Sequence, residues 1–463
     1  MRVCVVGLGY IGFPTACVVS QAGHDVVGVD VNTEIIDKLN NGGLHIVNED
    51  GLGEIARKAF ASGKLRVTTV PEPADVFILA VPTPCRRLSG NVRPFFATKE
   101  VAAGAEDTAS GTAVLEEAVG TAPDMPRYGA DLTYVEQSAR EIVPYVRPGN
   151  LVVLESTVSP GTTDTLVRRI LEEGTGLQCG RDIYLAHAPE RVLPGQILKE
   201  LTENDRIIGG INKESTERAI AFYRTFVRGN VVGTDATTAE LVKLMENTFR
   251  DVNIALANEF ALICEKVGVD VHEAIALANR HPRVNILKPG PGVGGHCIAV
   301  DPYFIVEAAP DQAKLISLAR KINSSMPAHV LDLVRKAADD AARKGTPIVK
   351  VVALGASYKA NVGDERESPA LEVVELLRTQ GYEVYVHDPY ISKYNQEDLD
   401  ELLTGADLMV MLTDHTFYRK LRPREVKKRM RQARLVDTRG FFNGEWDAEG
   451  FQVVRLGVGQ RGR

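Results

Sequence analysis

A short apolar run, Val3–Val6, leads straight into Gly7-Leu8-Gly9-Tyr10-Ile11-Gly12, and a second apolar run, Val26–Val29, ends on Asp30. No other feature constrains the fold so strongly. Glycines at this spacing, between a strand and a helix, suit one kind of turn. The first permits the tight reversal, the second lets backbone approach a pyrophosphate, and the third lets helix pack on strand. The helix that follows offers its free N–H groups to phosphate. The Asp30 carboxylate, about 20 residues on, can accept hydrogen bonds from a ribose 2′-OH and would repel a 2′-phosphate. Gly7, Gly9, Tyr10, Ile11, Gly12 and Asp30 are therefore candidate ligands of NAD rather than NADP. A merely structural turn is the competing reading, and the flanking strands, helix and acid weigh against it.

Strand-like runs at Val76–Ala80, Leu151–Leu154 and Ile183–Ala186 alternate with helical patterns at Tyr134–Tyr145 and Thr163–Glu173. This alternation argues for a parallel sheet covered by helices on both faces. The segment Cys85–Arg127, rich in Gly, Ala, Thr and Pro, breaks the pattern and reads as a surface excursion with a short helix near Ala113–Ala118. A long apolar helix is expected over Thr237–Val267, buried between domains or subunits. A loop at Pro289–Gly295 and a helix near Lys314–Asn323 follow. Strand–helix alternation restarts with Val349–Leu354, Pro369–Thr379 and Glu383–His387, and Leu408–Leu412 and Leu435–Val436 add strands. The tail Gly457–Arg463 is expected to fray. The expected fold is α/β, with two Rossmann-like doubly wound parallel-sheet domains joined by a long central helix. The boundaries are 1–210 for an NAD-binding domain with an insertion at about 85–127, 211–328 for a central helical region, and 329–463 for a second sheet domain.

Composition narrows the function classes. A net charge of −7 gives no footprint for nucleic acid. The six cysteines form no CxxC pair, so neither a disulfide framework nor a zinc site is suggested, and no metal is expected. Met1–Val31 is apolar enough to pass for a signal peptide, but its glycines and Asp30 read better as strand, turn, helix and strand. No uninterrupted apolar run of about 18 residues predicts a transmembrane helix, and the cytoplasm is the default expectation.

Two later strand ends, Val81-Pro82-Thr83-Pro84 and Glu155-Ser156-Thr157-Val158, are expected near the cofactor through Thr83 and Thr157, since ligands bind outside the carboxyl ends of parallel strands. Both can also be ordinary turns. Pro289-Gly290-Pro291-Gly292-Val293-Gly294-Gly295-His296-Cys297 places a thiol directly after a glycine-rich loop, where backbone can crowd a ligand. A lone cysteine is more often a small buried hydrophobe; the loop raises its case as a nucleophile. Lys243, Asn247 and Arg250 share one helix face. They form either a structural network with Glu240 or Asp251, or a proton-shuttling and oxyanion-stabilising set. The cations of His281-Pro282-Arg283, Tyr358-Lys359 and Arg366 suit a phosphorylated ligand held by charge, or simply a solvated surface.

With GLGYIGFPTA, VPTP, ESTVSPGTT, APERVLPG, the Lys243/Asn247 helix, GGHC and RESPA, the chain resembles the UDP-glucose/GDP-mannose dehydrogenases over nearly its whole length apart from the excursion. Within that family HPRVNILKPGPGVGGHCIAVDPYFIV and ENTFRDVNIALANE are similar to the UDP-N-acetyl-D-mannosamine dehydrogenases. The resemblance implies a homodimer or higher homo-oligomer built on the long helix, and four-electron oxidation of a UDP-sugar alcohol by two NAD. It implies Cys297 as nucleophile and Lys243 as acid/base or oxyanion-stabilising group. Asn247 and Asp301 would position sugar and water, with Glu155 and Glu190 as further candidates for activating water. Arg191, Val192, Lys243, Asn247, Arg250, His281, Arg283, Gly294, Tyr358 and Lys359 would line the UDP-sugar site, and Arg366 would reach NAD. The excursion after Pro84 departs from the family's usual short link. Rival readings are a UDP-glucose or UDP-N-acetylglucosamine 6-dehydrogenase, a two-electron dehydrogenase that would leave Cys297 without a purpose, and a catalytically silent NAD-binding interaction protein.

Overall fold

A computed structural model describes residues 1–46, 49–88, 127–192, 195–295 and 297–459. They form two compact units, Met1–Glu246 with Tyr303–Gln312, and Asn247–Pro302 with Ala313–Arg463. The expected helix near Ala113–Ala118 lies outside the described residues.

The first unit holds β1 (Arg2–Val6), β2 (Asp25–Val29), β3 (Leu65–Thr68), β4 (Val76–Leu79), β5 (Cys85–Leu88), β6 (Arg127–Ala130), β7 (Leu151–Leu154), β8 (Tyr184–His187), β9 (Arg206–Gly210) and β10 (Val231–Asp235). Eight of these form one sheet in the order β10-β9-β8-β7-β4-β1-β2-β3, with the β5–β6 hairpin apart from it. Neighbours run parallel except β8 and β9. Along β1, Val3 and Val5 enter one core while Cys4 and Val6 enter the other, so a sheet covered on both faces needs an uninterrupted apolar run. Strand order reverses between β1 and β4, which opens a crevice at their carboxyl ends. The hairpin of β5 and β6 pins the two ends of the excursion by antiparallel pairing, Cys85 opposite Ala130.

The second unit holds β11 (Lys350–Leu354), β12 (Glu383–His387), β13 (Leu408–Met411), β14 (Arg434–Asp437) and β15 (Gln452–Arg455), all parallel in the order β12-β11-β13-β14-β15. Its order reverses between β11 and β13. The chain passes from the first unit to the second within one helix of 32 residues, Ala236–Val267.

Two expectations need correction. The helix expected near Lys314–Asn323 runs on to Arg343, with Pro327 inside it. Proline removes an N–H and normally ends a helix. Here Pro327 is buried, and the Asn323 carbonyl and the Pro327 ring lie against Gly292, whose φ of +133° few side chains adopt. The described part of the tail, residues 457–459, is held rather than frayed, and residues 460–463 lie outside the described residues. Gly457 accepts a hydrogen bond from Val271 N and donates to Glu265, and Val458 bridges to Asp270. A glycine lets the chain pass there, because a Cβ at Gly457 would lie 2.2 Å from the Val271 side chain.

Candidate active site

In the first unit each fingerprint glycine has a distinct steric reason. Gly7 has φ +92° and a Cβ there would lie 2.6 Å from the Ala80 carbonyl; one at Gly12 would lie 1.8 Å from the Gly7 carbonyl. A Cβ at Gly9 would meet nothing within 4 Å, so its backbone faces open space where a ligand can approach. The helix Gly12–Gln21 begins at this point with no side-chain cap and no acidic residue in its first turn, which leaves its N–H dipoles for a phosphate. Asp30 is half-buried, and its two oxygens accept from Leu8 N at 2.8 Å and Asn32 N at 2.9 Å. The carboxylate is thus fixed at the strand end rather than free to rotate. The two later strand ends are tied together: Thr83 Oγ1 donates to the Thr157 carbonyl at 2.6 Å, and Ser156 Oγ to Val81 at 2.7 Å. These residues fit a dinucleotide.

Beside this cradle lies a buried charged cluster. Glu155 directly follows β7 and is 3% exposed; its Oε1 accepts from Tyr223 Oη at 2.6 Å. Burial pushes its pKa up to about 7 against the opposing pull of Arg206. Glu190 follows β8 and pairs with Arg206 at 2.5 Å. Arg191, expected at the sugar, has its guanidinium on Glu246 and on the Asp205 carbonyl, and Val192 packs against the core. Arg206 and Tyr223 were not picked out from sequence. An arginine opening the apolar strand RIIGG was the available signal, since a buried cation must be paired.

The helix face divides between the units. In the first, Lys243 is 9% exposed. Glu240 is occupied by Thr163 N, Thr163 Oγ1 and Gly161 N, so it does not neutralise Lys243. In the second, Asn247 Nδ2 donates to Asp301 Oδ2 at 2.5 Å, and Asp301 N donates to the Cys297 carbonyl at 2.8 Å. Arg250 is exposed, and Asp251 is committed to Arg320 and Asn323. Glu240 and Asp251 are thus taken by residues outside the Lys243, Asn247 and Arg250 face, and Asn247 pairs with Asp301 instead, so the network expected between that face and these two acids is not formed.

Cys297 is the exposed thiol of the six; Cys4, Cys17, Cys179 and Cys264 are buried and Cys85 is half-buried. Burial pushes Cys4 up to about 11 and Cys17 and Cys179 up to about 12, which silences them as nucleophiles. The loop before Cys297 is held from behind by a polar chain. Gly290 N donates to Asn258 Oδ1, Asn258 to Asn323, and Asn323 to Asp251, all buried. Gly295 N donates to the Arg366 carbonyl, and a Cβ on Gly294 would strike the Glu367 carbonyl at 2.3 Å. The ring of Tyr358 lies against Gly295. The second unit thus brings together Cys297, Gly294, Tyr358 and Arg366, with Asn247 on Asp301. His281, Arg283 and Lys359 are exposed and, among the described residues, are not drawn into that cluster.

Three sequence profiles of the UDP-glucose/GDP-mannose dehydrogenase family match. The NAD binding domain matches residues 1–109 and 95–227, the central domain 237–325, and the UDP binding domain 352–444. The chain is 44% identical over 465 residues to a UDP-N-acetyl-D-mannosamine dehydrogenase of Methanocaldococcus jannaschii, covering 99% of this chain and 97% of that one. It is also 44% identical over 457 residues to an NDP-N-acetyl-D-galactosaminuronic acid dehydrogenase of Ralstonia nicotianae, covering 96% of each. The solved UDP-D-ManNAc dehydrogenase of Pyrococcus horikoshii superposes with a TM-score of 0.85 at 40% identity, covering all of both chains. With the dinucleotide cradle in place, the chain belongs to the UDP-glucose/GDP-mannose dehydrogenase family and is an NAD-dependent oxidoreductase.

Proposed function

We propose that the enzyme oxidises the C6 alcohol of UDP-N-acetyl-D-mannosamine to the uronic acid, using two NAD and one water and holding the intermediate on Cys297. The carrying observation is the exposed Cys297 thiol, set after a buttressed glycine loop, with Asp301 held by Asn247 beside it. NAD supplies the hydride acceptor, and Gly7, Gly9, Tyr10, Ile11, Gly12, Asp30, Thr83 and Thr157 would hold it. In the first oxidation the C6 alcohol loses a proton and a hydride and becomes an aldehyde. The Cys297 thiolate then adds to that carbonyl, which keeps the aldehyde from escaping. Loss of a second hydride leaves a thioester, and water releases the carboxylate and regenerates the thiolate. The buried Lys243 ammonium stabilises the oxyanion that develops at C6, Asn247 and Asp301 position sugar and water, and Glu190 accepts a proton from water. Tyr358, Lys359, Arg250, His281 and Arg283 would bind the UDP moiety.

Among the described residues no helix is long and apolar enough to cross a membrane. Cysteines outside any disulfide and a thiolate mechanism suit a reducing cytoplasm. On the long helix Phe249, Leu256, Ile263 and Val267 are exposed, Phe249 by 71%. Their spacing puts them on one stripe, which a second copy of the chain would cover; sedimentation should give a dimer or larger, and a monomer at micromolar concentration would reject that part.

The experiment is a panel of UDP-sugars with NADH counted per sugar consumed. The manno N-acetyl sugar should react fastest and give two NADH. The equal identity to a galactosaminuronic acid dehydrogenase makes the galacto N-acetyl sugar, which differs at C2 and C4, the essential competitor; faster turnover of that sugar would transfer the assignment to it.

A further inference from the structure

Glu155 and Glu190 are both acids beyond the carboxyl ends of neighbouring strands, and both lie in the field of one buried cation, Arg206, which is paired with Glu190. Because β9 runs antiparallel to β8, Ala186 faces Gly210 and His187 faces Gly209. Each step along one strand is a step back along the other, so the register, continued past the ladder, sets Glu190 opposite Arg206. The pair is buried, with 9% and 2% of the residues exposed. Tyr223, from the end of the helix Lys213–Tyr223, links Glu155 to this pair: its Oη donates to Glu155 while the Arg206 guanidinium lies over its ring, 5.6 Å from the centroid, so Glu155 sits in the field of that cation without an ion pair to it. The charged and titratable groups facing Glu155 are therefore Arg206 from β9, Glu190 from the segment after β8, and Tyr223 from that helix. His187 pairs in register with Leu154 and belongs to the other face of the sheet.

We propose that Arg206 is a positioning residue that orients the Glu190 carboxylate, and that Glu155 is a second carboxylate competing for Arg206, so that the proton on Glu155 decides how firmly Glu190 is held. Three observations beyond the pairing support this. Glu155 Oε2 and Arg206 Nη2 are buried without a hydrogen-bond partner, and Arg206 Nη1 meets Glu190 Oε2 at 2.5 Å as an ion pair without hydrogen-bond geometry, so Glu190 does not use up the guanidinium's donors. Glu190 Oε1 is anchored on the Arg191 N–H at 2.7 Å, which leaves Arg206 to fix the other oxygen. Among the described residues the one hydrogen bond to the Glu155 carboxyl comes from Tyr223, and Glu155 is 3% exposed, so its nearest polar neighbours are those of the cluster. Burial, its largest influence, raises Glu155 to about 7. Below that pH Glu155 is neutral and Arg206 belongs to Glu190 alone. Above it the guanidinium is shared, and Glu190 loosens.

The inference rests on the dehydrogenase reading, in which Glu190 serves the water step. The test is kcat and KM of the parent, Glu155→Gln, Tyr223→Phe and Arg206→Lys across about pH 6 to 8.5, a span centred on a carboxyl titrating near neutrality. The parent kcat should fall as pH rises through the Glu155 titration. Glu155→Gln should remove that inflection. Tyr223→Phe, by removing a hydrogen bond that favours the ionised form, should move it to higher pH. Arg206→Lys should lower kcat by about 10- to 100-fold with both KM values changed less than about 2-fold, the pattern of a misplaced group rather than a lost ligand. An inflection that persists unchanged in Glu155→Gln overturns the inference, even if Arg206→Lys fails to fold. A parent that makes no NADH from any UDP-sugar overturns the dehydrogenase reading itself, and the inference with it.

Discussion

The two sheets meet the same local problem with different chemistry. In each, the strand order reverses beside a glycine with positive φ: Gly7 after β1 at +92°, Gly355 after β11 at +94°. In each, the next strand ends on an aspartate that accepts N–H groups from that turn. Asp30 takes Leu8 N; Asp388 takes Ala356 N and Ser357 N, with Tyr390 N on its other oxygen. They diverge in what fills the gap before the helix. The first unit uses five residues, Gly7 to Ile11, and presents bare backbone. The second uses fourteen, Gly355 to Ser368, and presents Tyr358, Lys359 and Arg366. A short glycine turn brings N–H dipoles to a pyrophosphate, whereas a long turn can only deliver side chains. The longer turn then needs a brace. His415, fully buried, donates from Nε2 to Asp388 while its Nδ1 accepts Asn361 N.

The largest effects should follow from breaking these braces. Asp388→Ala leaves several buried donors without an acceptor and should cost about 3–5 kcal/mol in the second unit, measured by denaturant unfolding. Loss of less than about 1 kcal/mol would show that the brace is not structural. Burial raises Asp388, but the bonds from His415 and the backbone outweigh it and hold its pKa below the usual carboxylate range. Its stabilisation is therefore complete above about pH 4 and lost as pH falls through the depressed value. The native parent should accordingly lose secondary structure in the second unit under acid, and Asp388→Asn should flatten that part of the acid transition.

Next come the glycines, where the comparison is sharpest. Gly12→Ala puts a Cβ into the Gly7 carbonyl and should damage both stability and NAD binding. Gly9→Ala meets nothing in the protein, so it should weaken NAD binding while leaving stability within about 0.5 kcal/mol. If the two variants behaved alike in NAD titration and thermal melting, the open space at Gly9 would not be the cofactor's. Lys243→Ala should lower kcat about 100- to 1000-fold with little change in UDP-sugar KM, because its charge matters most as an oxyanion forms. An unchanged kcat would reassign it to ground-state binding. The smallest effect is at Asp30. Asp30→Ala should weaken NAD by about 1–3 kcal/mol and narrow the preference over NADP, read by titration with each cofactor.

The two sheets were also unequally legible in sequence. The N-terminal turn was readable residue by residue because backbone geometry demands glycine at fixed spacing. The apolar strands β1, β2, β4 and β11 were legible for a related reason, since burial on both faces forbids polar residues over most of their length. β3, with exposed Arg66, and β10, with exposed Val232 and Gly233, carry no such signature and were missed. The long helix was read from its apolar wrap, but the chain of Asp251, Asn258, Asn323 and Gly290 was not, because its partners are far apart in sequence. The continuation through Pro327 was illegible for a different reason: a buried proline inside a helix is tolerated only by the packing around it. The pairing of Glu190 with Arg206 depends on one strand reversing direction, which no local pattern announces.

The most direct measurement of the covalent route is the fate of sugar in Cys297→Ser. A serine alkoxide forms far less readily than a thiolate at neutral pH, and its ester hydrolyses more slowly than a thioester. After incubation with NAD and UDP-N-acetyl-D-mannosamine, mass spectrometry should show a sugar ester on the variant or released aldehyde, with no more than one turnover to acid. If Cys297→Ser instead made uronic acid at near-parental rate, with two NADH per sugar, the covalent role of Cys297 would be contradicted.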